Sequence, residues 1–392
     1  MTGAMKSNGF NQTELGEVLD FFNGKAIKPG GDGEYPAYGS NGLIGRSPGY
    51  THEDGIIIGR VGAYCGSIAY CADKFWASDN TIVAKPKQPT ACIRYFSYLL
   101  RDLKLNKYAG GAAQPLVTHT VLKRVPALVA QPELQARISA LLSAYDDLIE
   151  NNTRRKQVLE RMAQALYREW FVHFRFPGHA QVPRVPSPLG PIPQGWSVRR
   201  LDEVASVNSS TIRRGDEPES ILYVDISSVG TGRIEKIEPM AFADAPGRAR
   251  RIVRHGDTIW SCVRPNRKSF SLILDPPADL IVSTGFAVLT PAKVPYSFLH
   301  QAVTTDDFVG YLTNHATGAA YPAVTAKDFE AAQILVPNES VLQQFHEHCE
   351  PLLLLRESLM RKSTTLRRTR DLLLPKLISG ALDVSRLDLE TA

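Results

Sequence analysis

The sequence predicts an α+β protein made of two copies of one globular unit, each followed by a long α-helix, with the helices paired as an antiparallel coiled coil about a pseudo-two-fold axis. Three observations carry this expectation. First, Gly110-Gly111-Ala112-Ala113-Gln114-Pro115-Leu116-Val117-Thr118 returns as Gly318-Ala319-Ala320-Tyr321-Pro322-Ala323-Val324-Thr325, and Pro115, Thr118 and Leu128 each stand 207 residues ahead of Pro322, Thr325 and Leu335. Second, both copies run into stretches whose apolar side chains alternate by steps of four and three, the rhythm of a coiled-coil helix. Third, looser pairs extend the duplication upstream: Leu15-Gly-Glu-Val with Leu201-Asp-Glu-Val, and Gly55-Ile-Ile-Ile with Gly256-Asp-Thr-Ile. A duplicated unit suits a ligand with two separated half-sites.

Residues 14–131 read as the first α+β unit, with strands at Gly55-Ile-Ile-Ile-Gly and Asn80-Thr-Ile-Val-Ala and helical spacing from Ile93 to Leu105. Residues 132–176 form the first helical region, its seam read at Leu134, Ile138, Leu141, Tyr145, Leu148, Asn152, Arg155, Leu159, Met162 and Leu166. Six prolines between Pro177 and Pro193 make 177–195 an extended, semi-rigid linker. The second α+β unit spans 196–337. A second helical region at 338–380 repeats the seam as Val341, Phe345, His348, Leu352, Leu355, Leu359, Lys362, Leu366, Thr369 and Leu373, with Pro351 expected to start or kink it. Two helices of matching length most simply pack on each other; each capping its own unit, or pairing between chains, is the alternative.

Composition sets the limits. Of 392 residues, 43% are hydrophobic and 22% charged, which is ordinary for a globular chain and allows two to four domains. No apolar run approaches the roughly 18 residues of a membrane span, and Met1 to Phe10 lacks a signal-peptide stretch, so a cytoplasmic location is expected. Five cysteines without a C-x-x-C pair argue against a disulfide framework and a zinc ribbon. A net charge of +5 is only mildly basic, yet seven cations between Arg248 and Lys268 face a single acid, Asp257. That run falls in a strand-and-turn region and suits phosphate contact; the seven cations between Arg356 and Lys376 read equally well as a solvated helix face.

Enzyme signatures are missing. No G-x-x-x-x-G-K-[ST] loop or G-x-G-x-x-G turn occurs, and Asp275-Pro276-Pro277-Ala278 lacks the aromatic that a base-flipping amino-methyltransferase tetrapeptide carries. His346, His348 and Cys349 point around a helix axis rather than toward one ion, so no metal site is expected. The chain reads as a binder.

Tyr35-Pro36-Ala37-Tyr38-Gly39-Ser40-Asn41-Gly42-Leu43-Ile44-Gly45 resembles a P-x-Y-G-x-N-G-x-I-G run of the specificity (S) subunits of type I restriction-modification systems. Pro193-Gln194-Gly195-Trp196 ahead of Leu201-Asp-Glu-Val resembles the start of their second target recognition domain. Gln131-Pro132-Glu133-Leu134-Gln135-Ala136-Arg137-Ile138 is similar to the opening of their conserved helical regions, with proline and glutamine displaced, and Val336-Pro337 to Phe345 departs further. The resemblance covers nearly the whole chain. It implies a non-catalytic subunit whose two target recognition domains each read half of a bipartite sequence in double-stranded DNA, with helices that set the unread spacer and dock two methyltransferase subunits. Restriction (translocase and nuclease) subunits complete such a complex. S-adenosylmethionine, ATP and Mg are then cofactors of the partners, none of this chain. A coiled-coil scaffold and a fragment of a fused DNA methyltransferase remain the alternatives.

Reading bases takes bidentate side chains on loops or strands, typically Arg or Lys to guanine and Asn or Gln to adenine. The candidates in the first unit are Ser40, Asn41 and Arg46 in the glycine-rich turn, then Arg60, Tyr64, Lys74 and Gln114. In the second unit they are Arg248, Arg250 and Arg251, the proline-stiffened Arg264-Pro265-Asn266-Arg267-Lys268, and Tyr321 beside Pro322. A tight structural turn is the competing reading at Ser40 to Arg46, and domain–helix packing at Tyr321.

Overall fold

The computed structural model describes residues 5–6, 9–27, 33–111 and 114–384; Ala112 and Ala113 of the first repeated loop lie outside them. The chain divides into two compact units, one made of Met1–Asn151 with Lys362–Ala392 and the other of Asn152–Arg361. Each unit is mixed helix and sheet. The first long helix, Pro132–Tyr167, therefore has its start in the first unit and its end in the second, and the second, Glu339–Ile378, has its start in the second unit and its end in the first.

The first unit is built on a six-stranded sheet whose central strand, His52–Gly59, lies between Ile68–Ala77 and Thr81–Pro86. Strand residues alternate faces. Ile56, Ile58, Ile82 and Ala84 pack under Tyr95, Phe96 and Leu99 of the helix Ile93–Asp102, while Ile57, Phe75 and Val83 form a smaller core on the opposite face. That helix stops before Leu105 because Lys104 turns left-handed (φ 50°). Both long helices contribute to this core. Ile138 and Leu142 join Leu377 and Ile378 there, and Asp146 accepts from the Tyr98 hydroxyl (2.6 Å) and from Arg370 (2.5 Å).

The second unit repeats the plan with Thr258–Ser261 between Phe270–Leu272 and Phe286–Pro291, covered by Tyr296–Ala302. Its core is aromatic at the helices, where Phe345 meets Phe171 (4.8 Å between ring centroids) and Trp170 (5.9 Å). Arg356 is buried here, donating to Glu160 (3.3 Å) and to the Gly232 carbonyl (3.2 Å). Asn338 caps the second long helix by accepting from the Val341 amide (3.0 Å), so Pro351 does not start it. Pro351 sits on an exposed face, where water can serve the carbonyl that its missing N–H leaves unpaired. The proline-rich 177–195 is extended in part but doubles back, pairing Arg184–Val185 with Ile192–Pro193 and burying Ile192 in the second core, where the flanking Phe176 and Trp196 are buried too.

The helix seam needs one correction. Ile138, Leu159, Phe345 and Leu359 are buried as expected, but Leu148 (51% exposed) and Met162 (49%) face outward, as does Leu355. Their places are taken by the next residue along: Gln135, Leu142, Ile149 and Ala163 in the first helix, and Leu342, Cys349, Arg356 and Ser363 in the second. Arg155, Lys362 and His348 are likewise exposed. Apolar neighbours such as Leu141-Leu142 and Leu148-Ile149 offer two registers with the same seven-residue period, and the packing selects the later one. The corrected seam keeps the 207-residue offset, since Leu142 corresponds to Cys349, Ile149 to Arg356 and Asn152 to Leu359.

Candidate nucleic-acid interface

The repeated loop is a hydrogen-bonded device built identically in both units. In the first, Gly110 and Leu116 exchange backbone bonds (2.9 Å each), the Gly62 amide donates to Pro115 (3.0 Å), and the Val117 amide donates to Arg60 (3.0 Å). In the second, Thr317 and Ala323 exchange bonds (2.9 Å each), Arg264 donates to Pro322 (2.7 Å), and Val324 donates to Cys262 (2.9 Å). Gly111 (φ 94°) and Gly318 (φ 103°) make the same left-handed turn, which only glycine enters freely. Each loop then feeds a capped helix. Thr118 accepts from the Val121 amide, and Thr325 forms a reciprocal capping box with Asp328. Both loops are thereby clamped onto the turn that leaves the central strand of their own sheet.

Side chains at this clamp are exposed. In the first unit Tyr64 is 60% exposed, Gln114 and Asn41 are exposed, and Asn41, Tyr64, Asp79 and Asn80 line a groove of about 350 Å³. In the second unit Tyr321, the counterpart of Gln114, is 69% exposed, and Asn266 and Arg267 are exposed beside it. Among the described residues neither Asn266 nor Arg267 has a side-chain partner. Arg264 lies over the Tyr321 ring (4.5 Å to the centroid). Lys268 pairs with Asp306 (2.7 Å), and that hydrogen bond holds the Asp306 carboxyl below its ordinary range. Asn80, which no sequence pattern had marked beyond its place at the head of a strand, is brought to this groove by the bond from Arg60 to its carbonyl (2.9 Å).

Other predicted residues are placed elsewhere or are spent on the fold. The Ser40 hydroxyl donates to Asn80 (2.7 Å) and accepts from Val61 (3.3 Å), stitching two turns together. Arg46 folds back onto the carbonyls of Gly33 (2.6 Å) and Glu34. Arg60 is half-buried with its Nε enclosed and unpaired, and burial together with the Arg60 charge depresses the pKa of His119. Lys74 sits over Tyr50 (4.8 Å) and pairs in register with Glu53, six residues or about 20 Å along the strand from Gly59. The basic run is also divided between two sheets. Arg248 is engaged by Asp225 (2.7 Å), Arg250 lies over Phe242 (4.7 Å), and Arg251 is part-buried, which lowers its pKa. Only Arg264 to Lys268 reach the clamp, because the strand Ala249–Ile252 belongs to the neighbouring four-stranded sheet.

Comparison with known proteins bears on what such a clamp serves. Residues 8–161 match the family model described as the type I restriction modification DNA specificity domain. The specificity subunit of the type I restriction enzyme MjaIX of Methanocaldococcus jannaschii is 24% identical over 318 residues, covering 75% of this chain and 70% of that protein. Over these matches the chain is similar to the specificity subunits of type I restriction-modification systems. The EcoprrI specificity subunit of Escherichia coli is 30% identical over 131 residues, 33% of this chain and 32% of the relative. The crystal structure of the S subunit of a type I system from M. genitalium superposes with a TM-score of 0.64 at 16% identity, covering 98% of this chain and 100% of that one, and so shares its fold. Specificity subunits are the non-catalytic, DNA-recognising members of their systems. Among the described residues, no helix is long and apolar enough to cross a membrane.

Proposed function

We propose that each unit of this chain reads one half of a bipartite duplex DNA target, and that the long helices dock two methyltransferase subunits and set the unread spacer. The observation that carries the reading is the clamp built twice, with exposed Tyr64, Gln114 and Asn41 on one copy and Tyr321, Asn266 and Arg267 on the other. Amides and guanidinium groups give bidentate contacts to base edges, and aromatic faces pack against sugars and bases. Restriction subunits join the same complex. S-adenosylmethionine is handled by the methyltransferase subunits, and ATP with Mg by the restriction subunits. Docking is supported in the second unit by Val158, Met162 and Val172, apolar side chains about half exposed on and just beyond the first long helix.

The test is methyl transfer to duplex DNA from labelled S-adenosylmethionine. The purified chain is expected to transfer nothing, whereas its complex with the co-expressed methyltransferase should modify discrete sites. Turnover by the single chain, or failure of the two proteins to associate, would overturn the reading.

A further inference from the structure

The two clamps share backbone geometry but differ in the residues that pay its conformational cost. In the first unit the turn after the central strand is closed by the Gly59 amide to Ser67 and the Cys65 amide to Gly62 (2.9 Å each). In the second, Ser261 donates to Ser269 and Arg267 to Arg264 (2.9 Å each), so residues correspond here at an offset of 202. That register sets Gly62 (φ 76°) against Arg264 (φ 52°) and Gly66 (φ 82°) against Lys268 (φ 54°). Glycine enters this left-handed region freely, whereas arginine and lysine are strained in it. Two cations thus occupy positions that the other copy fills with glycine.

Arg264 is also the better prepared for recognition. A Cβ built on its counterpart Gly62 would meet nothing within 4 Å, so side chains at this turn position lead into open space. The guanidinium lies over Tyr321, the most exposed large apolar side chain among the described residues, and its Nη2 donates to the Ala320 carbonyl (3.1 Å). The ring contact and that single bond hold a fork whose other donors meet no acceptor among the described residues. A planar fork beside an exposed amide, Asn266, matches the O6 and N7 acceptors of guanine in the major groove.

We infer that Arg264, held left-handed and stacked on Tyr321, reads a guanine in the half-site of the second unit, a contact for which the first unit has no equivalent. This rests on the DNA-reading role of the clamp. The full chain, in complex with its methyltransferase, selects duplexes from a randomised pool, and the selected motif is compared with those of Arg264→Gly and Arg264→Lys. Glycine is the native residue at the same turn of the other copy, so Arg264→Gly is expected to fold with undiminished thermal stability. It should lose preference for one guanine in one block only, with affinity for the parent motif down roughly 5- to 150-fold. Arg264→Lys should weaken the same preference, because an ammonium lacks the planar fork, while keeping the salt dependence of binding. An unchanged motif in both variants, or uniform weakening on all sequences, would make Arg264 a structural or phosphate-contacting residue and overturn the inference alone. A wild-type complex that selects no motif would overturn the DNA-reading role beneath it.

Discussion

Replacing Phe345 by alanine is expected to remove about 3–5 kcal/mol of stability from the second unit, the range for deleting a buried aromatic ring from a close-packed core. Phe345 is fully buried, and its ring touches rings from three other elements: Phe171 and Trp170 at the end of the first long helix, Tyr167 within it, and Phe298 from the helix over the sheet. The four rings meet Phe345 edge-on at 4.8–6.4 Å and also pack on one another, so they cannot readily collapse into the space. Chemical denaturation followed by tryptophan fluorescence checks it, since Trp170 reports directly on the cluster. A loss below about 1 kcal/mol would mean that the long helices are not locked to this unit through their aromatic ends.

The second large effect separates the two copies of the clamp. Gly66→Ala is expected to destabilise the first unit by roughly 2–5 kcal/mol, combining a left-handed backbone penalty with overpacking. The added Cβ would stand 2.3 Å from the Asn106 amide nitrogen and 2.8 Å from the Leu105 carbonyl carbon, both backbone atoms that cannot swing aside. Lys268→Ala at the matching turn of the second unit should cost at most about 1 kcal/mol, because it removes only an exposed ion pair with Asp306 from a site that already accommodates a side chain. Equal losses in the two variants, read as unfolding midpoints, would contradict the assignment of Gly66 and Lys268 to one structural position.

That correspondence also marks where the sequence stops being legible. The loops 110–118 and 318–325 could be paired by identity, because glycine, proline and threonine are each required by a turn, a clamp and a cap. The strand around Ile56 was legible from its apolar run. Gly62 against Arg264 was not, since the two residues share nothing but a backbone angle, and a changed offset of 202 hid them behind a five-residue difference in connecting length. The helix seam was legible in period but not in register, because Leu141-Leu142 and Met162-Ala163 present apolar atoms at both alternatives. Ser40 and Arg46 looked like DNA contacts because short polar and basic side chains flank glycines there. Their hydrogen bonds to Asn80 and Gly33 are tertiary, and spacing along the chain carries no trace of them.

The most direct test of the account is the motif selected from a randomised duplex pool by the intact complex, compared with that of the double variant Tyr64→Ala, Gln114→Ala, which alters the exposed face of the first clamp only. The parent is expected to select two short blocks separated by a fixed unread gap, and the variant to lose preference within one block while retaining the block that depends on Arg264. A single uninterrupted motif, or the decay of both blocks together, would contradict the claim that each unit reads its own half of the target.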